Sequence, residues 1–237
     1  PGGICLTRGC IPTKILMYPA EVLRTLDDAR DLGLNVIVHH PDFDRIMDRM
    51  RRLIGEDIEG IRRGLTHAPN IDYYDKPAAF TAPYQLSVAG ETITAPMIFL
   101  CLGSEVSVPP VKGLSGAGYL TSDSVLQLKK LTDSIAIVGG GYIAAEYGTF
   151  FPAMGSKVTI VGRNPQFLPA EEPETSAVAL KQMSRHMSIL TDHEVVEVRK
   201  HLLGKKELVA RDRATSKTVS VHADAILMAS GRGPNTD

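Results

Sequence analysis

The sequence predicts an α/β protein built from two units. Residues 134–161 read as a strand, a glycine-rich turn, a helix and a second strand, which is the building block of a parallel sheet. Residues 42–65 carry apolar side chains at helical spacing, and residues 70–102 then change to short strands broken by proline and glycine. A run rich in proline and glycine, residues 105–118, separates these regions. We therefore expect a first unit over residues 1–110 and a second unit over residues 111–237.

The bulk composition is that of a globular protein. Of the 237 residues, 43% are hydrophobic and 22% are charged, and the formal net charge is -1. This charge gives no reason to expect nucleic acid or an anionic membrane as a partner, and no apolar run approaches membrane-spanning length. Three cysteines cannot form a disulfide framework, so we expect a reducing, cytoplasmic setting.

The first unit is predicted to begin with two helices. Pro12 fits the first turn of a helix, where its missing N–H costs nothing, and the apolar spacing then continues to Gly33. The second helix covers roughly Asp42–Leu65, where arginines alternate with acidic residues, so we expect a solvated face and not a nucleic-acid site. Further on, Met97–Gly103 reads as an apolar strand that would place Cys101 in the core.

The second unit is predicted to alternate strands and helices before it ends in a series of strands. The predicted elements are the strand Ile135–Val138, the helix Tyr142–Met154, the strand Val158–Val161, a helix near Glu174–Met187, and strands near Ile189–Val198, Glu207–Arg211, Thr218–His222 and Ala225–Ala229.

The turn between the first strand and the first helix of this unit has the spacing G-x-G-x-x-[G/A] at Gly139, Gly141 and Ala144. It follows a strand and opens a helix, which is the context that makes this spacing typical of dinucleotide binding. Gly139 permits the tight turn, Gly141 lets a pyrophosphate approach the backbone, and Ala144 allows close packing of the helix on the strand. The phosphates would bind the free N–H groups at the start of the helix, near Ile143. The sequence therefore predicts a Rossmann-like NAD(P)-binding domain.

The end of the second strand determines which cofactor is preferred. An NAD site carries an acidic residue there to hold the ribose hydroxyls. This chain has Gly162 followed by Arg163. An arginine can meet a 2′-phosphate, so NADP is favoured, although NAD remains open.

Cys5 and Cys10 are separated by four residues, which is not the C-x₂-C spacing of a zinc knuckle. We expect Cys10 to lie just ahead of the helix that Pro12 begins, where the helix dipole favours a thiolate. Cys5, on the glycine-rich approach, would be accessible for attack on a substrate disulfide, and Lys14 adds a positive charge nearby. A redox dithiol is therefore favoured, while a nucleotide-binding module with inert or structural cysteines remains an alternative.

Four stretches of the sequence resemble motifs of the pyridine nucleotide-disulfide oxidoreductases. "GGICLTRGCIPTK" looks like the redox-active disulfide motif of that family, and "GGGYIAAE" looks like its NAD(P)H turn. "MIFLCLGS" is similar to its "ATGS" strand, and "ILMASGRGPNTD" to its closing strand, which adds Gly231 to the expected cofactor-binding residues. The resemblance covers essentially the whole chain, with the motifs in the family's order.

The resemblance implies a role for each of five residues. Cys5 matches the thiol that exchanges with the disulfide substrate, and Cys10 matches the thiol that contacts the flavin. Lys14 matches the lysine beside the flavin, and Glu146 matches the glutamate that pairs with this lysine from the other domain. Tyr142 matches the aromatic residue that covers the flavin face where nicotinamide arrives.

The resemblance also implies a fold, cofactors and partners. The first unit would be a partial FAD-binding domain, and electrons would pass between NAD(P)H, FAD, the dithiol and a disulfide or dithiol such as lipoamide. Members of the family are homodimers, and they carry an FAD motif and a dimerisation domain, with its His–Glu acid/base pair, that this sequence lacks. We therefore expect a fragment that is inactive alone. Within the family, Ala144 and Arg163 resemble the glutathione reductases, whereas Pro169 and the "GCIPTK" helix resemble the dihydrolipoamide dehydrogenases. We expect an enzyme of the dihydrolipoamide dehydrogenase type, with the glutathione reductase type as the alternative.

Overall fold

The computed structural model describes residues 1–38 and 40–236, so that Asp237, the last residue of the closing motif, lies outside the described residues. The helices are α1 (Gly3–Arg8), α2 (Cys10–Asp28), α3 (Phe43–His67), α4 (Leu114–Ala117), α5 (Tyr142–Met154) and α6 (Pro173–Met183). The strands are β1 (Ala78–Ala82), β2 (Gln85–Val88), β3 (Glu91–Thr94), β4 (Ser104–Val106), β5 (Leu120–Thr121), β6 (Ser134–Val138), β7 (Lys157–Val161), β8 (Ser188–Leu190), β9 (His193–Lys200), β10 (Lys206–Asp212), β11 (Thr218–Ala223), β12 (Ala225–Met228) and β13 (Arg232–Pro234).

The predicted α/β fold is confirmed by a five-stranded parallel sheet with the order β5-β12-β6-β7-β8. Strands β9, β10 and β11 form a separate antiparallel sheet, as do β1, β2 and β3, while β4 pairs with β13. The α5 helix begins and ends at the predicted residues. Because parallel strands present their carboxyl ends at one edge, the turns after β6, β7 and β12 meet at a single edge of the sheet.

The long helices follow local signals in the sequence. The side chain of Asp42 caps α3 by accepting a hydrogen bond from the Arg45 N–H at 3.0 Å. The α2 helix continues into a short 3₁₀ turn that stops at Gly33, whose φ of 81° is readily adopted only by residues without a side chain. Both helices were predicted, and their ends lie within two residues of the predicted positions at Asp42, Leu65 and Gly33.

The prediction of a buried strand over Met97–Gly103 is wrong. No strand occurs there, and β4 starts only at Ser104, where β13 supplies a pairing partner. Met97 and Phe99 are 73% and 85% exposed, and Cys101 is exposed as well. An apolar run forms a strand only when a neighbouring strand can complete its hydrogen bonds, and the sequence pattern does not show whether such a neighbour exists.

The predicted single strand over Ile189–Val198 is two strands in two different sheets. Asp192 lies between β8 and β9 with φ of 56°, a left-handed conformation that aspartate tolerates better than most residues. The chain therefore leaves the parallel sheet after β8 and enters the antiparallel sheet at β9. The predicted helix near Glu174–Met187 also ends earlier, at Met183.

The core joins the first helices to the parallel sheet. Leu16 of α2 and Met47 of α3 belong to the same buried cluster as Ile137 of β6. Phe43 of α3 packs on Phe150 of α5 with ring centroids 6.1 Å apart. This packing fixes α2 against α5, although the two helices are more than a hundred residues apart in sequence. No described helix has the length and apolar character needed to cross a membrane.

Candidate functional site

The glycine-rich turn lies at the carboxyl end of β6. Its first residue must be a glycine, because the backbone of Ala229 leaves no room for a side chain there. Gly139 has φ of 133°, and a Cβ there would lie 2.7 Å from the carbonyl carbon of Ala229 and still closer to its oxygen. Ala144 is fully buried beneath the turn. At Gly141, by contrast, nothing lies within 4 Å of the position that a Cβ would take. The turn is therefore tight on the side of the sheet and open above Gly141.

A pocket of about 410 Å³ opens at this edge of the sheet. Its lining brings together four of the predicted cofactor-binding residues, which are Gly139, Gly141, Arg163 and Gly231. Within the described residues no side chain caps the N-terminus of α5, which leaves its first N–H groups available to an anion. The pocket volume is within the range of small-molecule sites, and the free N–H groups of α5 are donors suited to an anionic ligand.

Three predicted cofactor-binding residues at the start of α5 do not line this pocket. Ala144 is buried below it, and Ile143 packs against the core. Tyr142 is 56% exposed, and its hydroxyl donates a hydrogen bond to Glu171, which raises the pKa of the phenol. The ring of Tyr142 is therefore held beside the turn and faces solvent.

Sequence reasoning missed the pocket residues His193 and Glu194, which open β9. They reach the pocket because the chain turns at Asp192 from β8 of the parallel sheet into β9 of the antiparallel sheet. The backbone N–H of His193 donates to the carbonyl of Gly162 at 2.9 Å, which fixes β9 against the loop after β7. The only local signal for this contact is the turn-forming Asp192.

The two candidate thiols lie on either side of a break between helices. Cys5 is within α1 and not on a loop, and Cys10 is the first residue of α2 and not a residue ahead of it, so both predicted placements are corrected. The α1 helix has only six residues, Gly3–Arg8, and this is too short for its apolar spacing to predict a helix from the sequence. Both thiols are free and exposed.

Gly9 lets the two helices approach each other. A Cβ at Gly9 would lie 3.0 Å from the carbonyl oxygen of Ile4 and 3.4 Å from the Cα of Cys5. The pKa of Cys5 is raised, first by its side-chain hydrogen bond to Cys10 and then by desolvation and by the charge of Cys10. Cys5 and Cys10 are therefore neighbouring thiols whose charges influence each other.

An ion pair joins the dithiol helix to the helix of the glycine-rich turn. The ammonium of Lys14 on α2 donates to the carboxylate of Glu146 on α5. This hydrogen bond raises the pKa of Lys14, and partial burial opposes the rise. Because the Lys14 side chain is 65% exposed, the pair contributes only about 0–1 kcal/mol to stability. Its significance is geometric, since it places Cys10 and the nucleotide turn on adjoining helices.

A second polar cluster ties α1 to the closing strand. Arg232 donates to the Asp123 carboxylate at 2.8 Å and to the carbonyl of Ser104 at 2.7 Å, and Arg8 of α1 donates to the same carboxylate at 3.2 Å. Burial acts to raise the pKa of Asp123, but the hydrogen bonds from both arginines outweigh it and lower the pKa below its usual value. Arg232 of the closing motif is thus linked through the Asp123 carboxylate to Arg8 of α1, the helix that contains Cys5.

Asp123→Asn is expected to lower the free energy of unfolding at pH 7 by about 2 kcal/mol, because two charge-assisted hydrogen bonds are weakened. The folded-state pKa of Asp123 lies below the unfolded value, so its contribution is present at neutral pH and is lost as pH falls from about 5 through the folded-state pKa. Urea unfolding of both proteins between pH 3 and pH 7 measures this. A constant difference across that range would contradict the assignment.

The fold is that of the Rossmann-like FAD/NAD-binding domains. The family model described as pyridine nucleotide-disulphide oxidoreductase matches residues 1–237. The chain belongs to this family, whose members are flavin-dependent oxidoreductases. Among the described residues, no group of three or more histidine, cysteine, aspartate or glutamate side chains could hold a metal ion.

Curated relatives that the chain matches carry different names. The chain is 33% identical to mycothione reductase of Mycobacterium tuberculosis, with all of the chain and 51% of that protein covered. It is 31% identical to dihydrolipoyl dehydrogenase of Acholeplasma laidlawii, with 99% of the chain and 69% of that protein covered. It is 29% identical to mercuric reductase of Lysinibacillus sphaericus, with 43% of that protein covered. The chain thus spans about half the length of most of these relatives.

A solved structure shows the same fold. The chain is similar to the HOCl-induced flavoprotein disulfide reductase RclA from Escherichia coli, with a TM-score of 0.81 and 30% sequence identity. The match covers all of this chain and 49% of the RclA chain. The family and the fold predicted from the sequence motifs are therefore confirmed.

Proposed function

We propose that this chain carries the dithiol and the nucleotide site of a flavin-dependent oxidoreductase that links NAD(P)H to a disulfide substrate. The observation that carries the proposal is the ion pair between Lys14 and Glu146, which joins the helix of Cys10 to the helix of the glycine-rich turn. Residues 1–110 would form part of the FAD-binding domain, and residues 111–237 the NAD(P)-binding domain. We further propose that the protein acts as a homodimer in the reducing cytoplasm.

The residues that would hold the two cofactors fit them. The pocket at Gly139, Gly141 and Gly231 would take the dinucleotide, with its pyrophosphate on the uncapped N-terminus of α5. Cys10 and Lys14 are exposed on α2, and would lie against FAD. Bound FAD would supply two-electron transfer between NAD(P)H and the dithiol.

The dithiol would reduce a substrate disulfide in two exchange steps. The thiolate of Cys5 attacks one sulfur of the substrate, which forms a mixed disulfide and releases the first substrate thiolate. The thiolate of Cys10 then attacks the sulfur of Cys5, which closes the Cys5–Cys10 disulfide and releases the second substrate thiolate. The two protons lost by the cysteines are taken up by the two released thiolates. The neighbouring Cys10 raises the pKa of Cys5, so we expect the rate of the first step to rise with pH as the Cys5 thiolate forms.

We propose a substrate of the lipoamide type for two reasons. The "FLP" that ends at Pro169, in the loop after β7, resembles the corresponding motif of the dihydrolipoamide dehydrogenases. One relative is named dihydrolipoyl dehydrogenase. Mixing the reduced chain with oxidised lipoamide, and in parallel with oxidised glutathione, tests this half-reaction by the appearance of free small thiol. We expect faster exchange with lipoamide. Faster exchange with glutathione would instead favour the glutathione reductase type, and no exchange with either would leave a nucleotide-binding module with inert cysteines.

We also propose that NADPH is preferred over NADH. Arg163 lines the pocket at the end of β7, and among the described residues no carboxylate pairs with it. The change Arg163→Ala is expected to weaken NADPH binding by about tenfold, because one charge-assisted contact to the 2′-phosphate is lost, and to leave NADH binding nearly unchanged. Isothermal titration calorimetry with both nucleotides measures the effect, and equal weakening of both would contradict it.

A further inference from the structure

Two carboxylates lie beside the end of the pocket that carries Arg163. Glu194 lines the pocket directly. Asp192 is in the turn before it, and its backbone N–H donates to the carbonyl of the lining residue Asn164 at 2.8 Å. A 2′-phosphate carries close to two negative charges, so a carboxylate without a counter-ion at this end would oppose its binding.

Each of these carboxylates is paired with an arginine of the β10–β11 hairpin. Arg211 lies 3.1 Å from Glu194, and Arg213 lies 3.6 Å from Asp192. Arg213 also donates to the carbonyl oxygen of Arg163 at 3.0 Å, and its backbone N–H donates to the carbonyl of Asp192 at 2.9 Å. The hairpin therefore contacts the loop that would hold the 2′-phosphate.

The turn of this hairpin is fixed by its own hydrogen bonds. The carboxylate of Asp212 accepts the N–H groups of Ala214 at 2.9 Å and Thr215 at 2.8 Å. These bonds lower the pKa of Asp212. Arg213 follows Asp212 directly and is thus held beside Arg163.

We propose that Arg211 and Arg213 determine nucleotide specificity by cancelling the charges of Glu194 and Asp192, so that Arg163 meets a 2′-phosphate unopposed. The inference rests on the proposed preference for NADPH. Arg213 is the positioning residue of the pair, because it also holds the main chain at Arg163. Nucleotide specificity would then depend on the antiparallel sheet as well as on Arg163 in the loop after β7.

The test compares adenosine 2′,5′-bisphosphate with 5′-AMP, which differ only in the 2′-phosphate, by titration calorimetry on this chain. Arg213→Ala is expected to weaken binding of the bisphosphate by about fivefold and to leave 5′-AMP unchanged, since an exposed ion pair has an effect of this order. The double change Arg213→Ala with Asp192→Asn is expected to restore part of the lost binding, because the uncancelled charge is gone while the contact of Arg213 with the main chain at Arg163 is still missing. Arg199→Ala, on the same sheet but outside the pocket lining, is the matched control and should change neither ligand.

Three results would overturn the proposal: equal weakening of both ligands by Arg213→Ala, no change with either ligand, or a double variant that stays as weak as the single one. The proposed preference for NADPH fails separately, if the unaltered chain binds bisphosphate and 5′-AMP equally well. A preference that is undiminished in Arg213→Ala would keep the role of Arg163 and remove that of the hairpin. Thermal melting of each variant checks that the fold is retained.

Discussion

Replacing Cys5 with serine is expected to reduce the rate of exchange between the reduced chain and a small disulfide by roughly 1,000-fold, as for removal of other catalytic nucleophiles. The thiolate is the attacking species, and a serine hydroxyl does not ionise near neutral pH. Cys5 lies in α1 with an exposed thiol, whereas Cys10 begins α2 and is the partner to which Cys5 hydrogen-bonds. The release of substrate thiol, followed in a stopped-flow instrument, measures the rate.

Two further variants assign the order of attack. In Cys10→Ser, Cys5 should still attack the substrate once and accumulate a mixed disulfide, which intact-protein mass spectrometry detects as one whole added molecule of the ring disulfide lipoamide, or as one added half of oxidised glutathione. Cys101→Ser is the control, because Cys101 is also exposed but lies outside the paired helices. If the adduct formed on Cys10 in Cys5→Ser at the original rate, the assigned order would be reversed. Loss of exchange in Cys101→Ser would show that the exchange depends on Cys101, which would contradict the assignment of Cys5 as the attacking thiol.

Replacing Gly139 with alanine is expected to destabilise the fold by about 3 kcal/mol or more, and to abolish nucleotide binding in the molecules that remain folded. The new methyl group would lie 2.7 Å from the carbonyl carbon of Ala229, and φ of 133° is a conformation that residues with a side chain rarely adopt. The backbone would have to move where β6 and β12 are closest. Guanidinium unfolding and NADPH titration measure the two effects.

Gly60→Ala is the matched control for this change. Gly60 is inside α3, and nothing lies within 4 Å of the position of its missing Cβ. Alanine there should raise stability by up to about 1 kcal/mol, because it favours the helix. If Gly139→Ala were as stable as the unaltered chain, and bound NADPH equally well, the packing argument for the turn would be wrong.

Local signals were sufficient where an element is defined by its own residues. The α5 helix was predicted to the residue, because a strand and a glycine turn fix its start and Gly155, with φ of 107°, directly follows its last residue. The start of α3 was predicted within one residue, because Asp42 is a strong N-cap. The glycine positions of the pocket followed from the same turn.

The rest of the site depends on contacts between distant residues, which spacing cannot reveal. Arg232 was read only as part of the closing motif, yet its side chain fixes Asp123, which lies 109 residues away in the sequence. Arg213 and Glu194 reach the nucleotide loop only because the antiparallel sheet folds beside β7. The pairing of Lys14 with Glu146 came from the family resemblance, and no periodicity or spacing in this chain would have predicted it.

The central claim is that the nucleotide site and the dithiol take part in one reaction, and NADPH-dependent labelling of the thiols tests it most directly. The full-length enzyme that contains this chain, loaded with FAD and oxidised beforehand, would be mixed with NADPH and then with iodoacetamide, and peptides bearing Cys5, Cys10 and Cys101 would be quantified by mass spectrometry. We expect Cys5 and Cys10 to become labelled only after NADPH is added, while Cys101 is labelled throughout. If NADPH bound and the labelling of Cys5 and Cys10 did not change, the claim would be contradicted.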